Sequence, residues 1–153
     1  MTLGGHSARG RLRYDLPALR RFLVFSIPLL LLTMALFHFS LDALGKAPSP
    51  TALSRGSAGE LPSYVLLGSW VLESLGLAAL YLLINGRAGR LLAGLLTGWI
   101  AWVFRGPLLV VAVVGLGGLP AGPWWSLAFS WWILYSLCGL VLAGVAAASG
   151  LQS

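Results

Sequence analysis

Glu73 and Arg105 are the residues of this chain whose type and position promise chemistry. Glu73 lies near the middle of the hydrophobic run 61–84, and Arg105 near the middle of the run 91–114. An ionised side chain in hydrocarbon costs at least about 2.5–3.5 kcal/mol, so such groups turn toward the protein interior and find partners. The simplest partners for these two are each other. At about 1.5 Å per residue, Glu73 is about 17 Å from Ile84 and Arg105 about 21 Å from Leu91, a difference that an arginine side chain spans. A short turn, Asn85 to Arg90, joins the two runs. So short a connection sets two antiparallel helices side by side.

Helical spacing adds neighbours to the pair. At about 100° per residue, Gly94, Gly98 and Arg105 share one stripe, and Ser69, Glu73 and Gly76 share a face of the preceding helix, where Gly76 is expected at a helix contact. Gly94 and Gly98 form a GxxxG pattern, which lets helix backbones approach closely. The stripe expected to pack tightest therefore carries the charge. Pro107 follows Gly106 and cannot donate to the carbonyl of Val103. A carbonyl freed at that depth needs a donor, and Arg105, Ser69, Thr97 or a water are the candidates. Two roles stay open for Ser69, Glu73, Thr97, Arg105, Gly106 and Pro107. One is a buried ion pair that fixes helix register; the other is a translocation or ligand site built on a broken helix.

The remaining polar and aromatic groups give weaker patterns. His38 and Asp42, spaced i, i+4, form a second polar pair, able to hold a proton, to help ligate a metal or simply to satisfy a histidine near the membrane edge. His6 supports no haem or metal scheme, and no metal site is expected. Of the seven tryptophans, Trp124 and Trp125 stand where an outer aromatic belt belongs. Trp99, Trp102, Trp131 and Trp132 lie deeper, where they pack against helices and lipid or line a pocket for a lipid, quinone or pigment. No cofactor is otherwise implied. The single cysteine, Cys138, excludes an internal disulfide and a multi-thiolate metal site. It reads as a small packing residue. HExxH, GxSxG and Walker-type motifs do not occur, so no catalytic residue is nominated.

These residues must be positioned by membrane helices. Of 153 residues, 58% are hydrophobic and 9% charged, against about 25% charged in soluble domains. Such a chain cannot cover a water-facing surface. Spans of about 20 residues each consume most of the length, leaving no room for a separate soluble catalytic domain. The expected fold is an all-α membrane protein, a bundle of four transmembrane helices near 22–41, 62–84, 91–114 and 124–148, with kinks at Pro28 and Pro107. Residues 1–16 read as a flexible basic tail, 17–148 as the transmembrane domain and 149–153 as a short polar tail. Asp15-Leu16-Pro17 is a helix start. The first apolar run exceeds the roughly 7–15 residues of a signal-peptide core, so it reads as a retained anchor.

The formal charge of +6 does not call for nucleic acid, because the basic residues flank hydrophobic runs where topology and lipid headgroups explain them. Arg9, Arg11, Arg13, Arg20, Arg21, Arg87 and Arg90 fall on one side of a four-span chain; Lys46 and Arg55 fall on the other. Both termini are then cytoplasmic, in a membrane such as the bacterial inner membrane. One small bundle offers little interior, so a homo-oligomer or a place in a larger membrane complex is expected. The GxxxG stripe or the small face Ala143, Gly144, Ala147 and Ala148 would mediate it. The functional expectation is an integral-membrane subunit or scaffold without its own catalytic centre. The alternative is a small oligomeric transporter or channel built on Glu73, Arg105 and the Gly106-Pro107 break.

Overall fold

The computed structural model describes residues 15–43, 63–117 and 121–151. Helix α1 covers Leu16–Ala43, α2 Ser63–Asn85 and α3 Arg90–Val103; a π-helical segment, Phe104–Leu108, leads into α4, Leu109–Gly117, and α5 is Ala121–Ala148. No strand occurs among the described residues. Among the described residues, four stretches are long and apolar enough to cross a membrane: Leu16–Leu41, Leu67–Asn85, Arg90–Leu116 and Ala121–Ala148. The third comprises α3, the π segment and α4. The chain is an all-α bundle of four spans, as an integral membrane protein of this composition requires.

Helix ends follow local chemistry rather than the edges of hydropathy. α1 begins directly after Asp15, whose carbonyl accepts the Leu19 N–H at 2.9 Å, with Pro17 in the first turn, where its missing N–H costs nothing. Hydropathy alone starts this span at 22, because Arg20 and Arg21 are polar; both are good helix formers and extend it. α1 remains helical through Pro28. α5 starts at Ala121 rather than 124 for the same reason as α1, since Pro123 sits in its first turn. Its far end is closed by a Schellman motif. Gly150 takes φ +70°, and the Leu151 and Gly150 N–H groups donate to Ala146 and Ala147 carbonyls at 3.1 and 3.3 Å. Leu151 is thereby fully buried, although its neighbourhood reads as a polar tail in the sequence.

α5 is the central helix, touching each of the others. The core gathers Phe22, Leu30 and Met34 of α1, Leu77, Ala78 and Tyr81 of α2, and Tyr135, Cys138 and Leu142 of α5. At one end of the bundle the Phe22 and Tyr81 rings stack at 5.5 Å. The Tyr81 hydroxyl there reaches Asn85 Oδ1 at 3.2 Å and the Arg90 carbonyl at 3.4 Å, which ties the start of α1 to the turn between α2 and α3. The tightest seam runs between α3 and α5. A Cβ on Gly94 would strike the Gly139 carbonyl oxygen, and one on Gly98 the Tyr135 carbonyl oxygen. The GxxxG stripe, expected as one route to an oligomer, is thus engaged inside the chain.

Candidate functional site

The site begins at the break in the third span. Pro107 removes one N–H from the helical ladder, and the backbone widens into a π turn over Phe104–Leu108. Such turns are inserted into α-helices chiefly where function or strain requires them. At its far end the Leu109 N–H donates to the Gly106 carbonyl three residues back, a 3₁₀-type bond. Gly106 is buried because an indole occupies the space beside it: a Cβ there would stand 2.9 Å from Trp102 Nε1. That indole N–H donates to the Ala128 carbonyl of α5 at 2.8 Å. The break is therefore anchored to the central helix.

Arg105 projects from this break toward α2. Its Nε lies 3.9 Å from Glu73 Oε1, an electrostatic contact longer than a hydrogen bond. Its Cζ stands 5.6 Å from the centre of the Trp131 ring, where the ring face attracts a cation. The guanidinium is thus set between a carboxylate on α2 and an aromatic face on α5. It is not enclosed: its side chain is 48% exposed, against 18% for Glu73. The expectation of a buried pair is corrected on the arginine side. The π turn carries Arg105 to the rim of an open-sided groove of about 320 Å³, lined by Glu73, Gly76, Leu77 and Leu80 of α2, Ala101 of α3, Phe104 and Arg105 of the π segment, and Tyr135 of α5. Chemically, it presents a cation and a carboxylate side by side on an apolar wall.

The other nominated residues distribute unevenly. Ser69 is half-buried on α2, one turn from Glu73. Thr97 is buried, and its hydroxyl donates to the Ala93 carbonyl at 2.7 Å; that engagement one turn back keeps it from the Val103 carbonyl. Gly76, expected at a helix contact, is instead exposed on the groove wall with nothing within 4 Å of a built Cβ. Ala143 packs against Gly94, 3.0 Å from its built Cβ, whereas Gly144 and Ala147 face outward. His38 is exposed and meets Trp70 edge-on at 5.7 Å. The Asp42 side chain, His6 and the loop between the first two spans lie outside the described residues. Among the described residues, no three His, Cys, Asp or Glu side chains gather as a metal site would need.

Trp124 is half-buried and Trp125 exposed in the first turn of α5. Trp99 and Trp132 face outward, while Trp102 and Trp131 are the two that reach the site. Cys138 is buried in the core.

Sequence reasoning left out Phe104 and Tyr135. The i, i+4, i+7 spacing of Trp131, Tyr135 and Cys138 puts them on one face, so Tyr135 was open to discovery; which helix that face meets was not. Phe104 reaches the groove through the π turn, which shifts the register that a helical wheel assumes. No family model matches this chain, and neither a curated protein nor a solved structure does.

Proposed function

We propose that the chain is a small integral-membrane subunit or scaffold without a catalytic centre of its own. The observation that carries this reading is the use made of the polar side chains at the break. Arg105 faces Glu73 on α2 and Trp131 on α5, and Trp102 is hydrogen-bonded to a carbonyl of α5. Each contact joins two helices, and in lipid such polar contacts fix packing and register. The outward small face of α5, with Gly144, Ala147 and Ala148 exposed, supports assembly with further copies or within a larger membrane complex. Arg20, Arg21, Arg87 and Arg90 belong to the bundle end joined by Phe22, Tyr81 and the Arg90 carbonyl. That supports cytoplasmic termini in a membrane such as the bacterial inner membrane.

Extraction in a mild detergent followed by size-exclusion chromatography with light scattering tests the assembly. A stable oligomer or a stoichiometric partner is expected; a strictly monomeric, partner-free protein removes the subunit role. Labelling of a cysteine placed at residue 2 by a membrane-impermeant maleimide tests the topology. Reaction only after permeabilisation is expected, and reaction in intact cells reverses the orientation.

A second reading, a small oligomeric transporter or channel, is favoured by one feature: the π turn sets Arg105 and Glu73 beside an open groove at the Gly106-Pro107 break, a construction shared with helix-break ion sites. Reconstituted vesicles should then show a flux that Glu73→Gln abolishes. Equal flux from parent and variant removes it.

A further inference from the structure

Arg105 offers more hydrogen-bond donors than the described residues satisfy. A guanidinium carries five N–H groups in a planar fork. Its ion-pair partner is 3.9 Å away, and no hydrogen bond ties Arg105 or Glu73 to another residue among those described. Donors and acceptors left unmet at this depth of a bilayer are costly. Both groups border the same apolar groove.

We propose that this groove binds a neutral, lipid-soluble molecule whose planar ring carries carbonyl or hydroxyl oxygens, a compound of the quinone class. Charge decides against an anionic head. With Glu73 ionised beside Arg105 the pair carries no net charge, and a carboxylate or phosphate would then meet the Glu73 charge after shedding its water to reach this depth. A ring carbonyl accepts from the Arg105 fork, and a ring hydroxyl donates to the Glu73 carboxylate, so the oxidised and the reduced form are each accommodated without carrying net charge into the bilayer. Phe104, exposed at the rim, offers a planar surface for stacking, and Leu77 and Leu80 offer the apolar wall. The volume, about 320 Å³, is at the low end of the roughly 300–1,000 Å³ of small-molecule sites. It holds a ring head while an apolar tail leaves through the open side into lipid. Binding alone is assigned here, with no electron transfer. The inference rests on the membrane placement proposed above and not on the subunit role.

The full-length protein in lipid nanodiscs, titrated with a quinone bearing one isoprene unit while tryptophan emission is followed, provides the test; Trp131 stands beside Arg105. Saturable quenching is expected. Arg105→Gln should weaken it about tenfold, as loss of a charge-assisted hydrogen bond does. Gly76→Leu should weaken it at least as much, because it fills the groove where nothing lies within 4 Å of a Cβ and leaves the pair in place. Circular dichroism and gel filtration check the fold of both variants; should Arg105→Gln not fold, Gly76→Leu carries the test. Quenching that never saturates, or is equal in both variants and parent, overturns the proposal. So does oleate displacing the quinone at equal concentration, which would mean an anionic head is preferred. A crosslink from Leu80→Cys, in a Cys138→Ala background, to a second polypeptide would place protein in the groove and overturn it as well. A monomeric, partner-free sample that still quenches saturably would defeat the subunit reading and leave this site standing.

Discussion

Gly94 of α3 and Gly139 of α5 face each other so closely that a Cβ on either would run into the carbonyl oxygen of the other. One turn along, Gly98 meets the Tyr135 carbonyl in the same way. Three glycines thus press the third span, which also carries the π turn and Arg105, onto the central helix.

Substitution should expose that seam. Gly94→Ala and Gly139→Ala each force backbone apart and should destabilise by about 1–3 kcal/mol, the usual cost of overpacking. Alanine is otherwise the better helix former by up to about 1 kcal/mol. Gly144→Ala, in open space, should therefore be neutral or slightly stabilising. Thermal unfolding in one detergent, followed by circular dichroism, measures the contrast. Equal midpoints for Gly94→Ala and Gly144→Ala would disprove the seam.

Trp102 and Gly106 should behave as a coupled pair. Gly106→Ala places a methyl 2.9 Å from the Trp102 Nε1 and should displace the indole from the Ala128 carbonyl. Trp102→Phe removes the 2.8 Å hydrogen bond at a cost of about 0.5–1.5 kcal/mol. Because both changes break one contact, the double variant should be less destabilised than the sum, by at least about 0.5 kcal/mol. Strict additivity in chemical denaturation would mean the two act independently.

The four spans were legible because composition leaves no other solution for a chain with so few charges. Their ends were less so: Arg20, Arg21 and Pro123 look like boundaries on a hydropathy scale, yet are compatible with the first turns of helices. The closeness of Glu73 and Arg105 followed from depth and a short turn. The exposure of Arg105 did not, since the wheel that put it on the glycine stripe assumed an unbroken α-helix and Pro107 introduces a π turn. Gly76 and Gly94 look equivalent as letters; only the neighbouring backbone distinguishes a packing glycine from one lining a groove. The partner of the GxxxG stripe, α5 rather than a second copy, depends on tertiary arrangement that no local pattern carries.

The end of the chain gives a local test. Gly150 adopts φ +70°, where a side chain costs about 1–2 kcal/mol, and it turns Leu151 into the core. Gly150→Ala should destabilise by about that amount. Leu151→Ala should cost about 2–5 kcal/mol, as truncation of a buried leucine does. Removal of residues 151–153 should match Leu151→Ala. If that truncated protein unfolds at the parent's temperature, Leu151 contributes nothing to the core.

A double-substitution cycle at the charge pair addresses its role directly. Among the described residues, Glu73→Gln leaves Arg105 with the Trp131 face, and Arg105→Gln leaves Glu73 without its counter-charge. Each single change should therefore destabilise more than the pair itself stabilises, because the surviving charge has lost its counter-charge. Replacing both should recover about 0.5 kcal/mol or more. The 3.9 Å separation and the exposure of Arg105 place the expected coupling toward the low end of what contacting residues show. A structural pair predicts that the double variant folds and assembles like the parent. A translocation site predicts that it folds equally well while flux in vesicles remains abolished. Measuring unfolding and flux on the same four proteins separates these outcomes, and additivity in unfolding would exclude a stabilising interaction between Glu73 and Arg105 altogether.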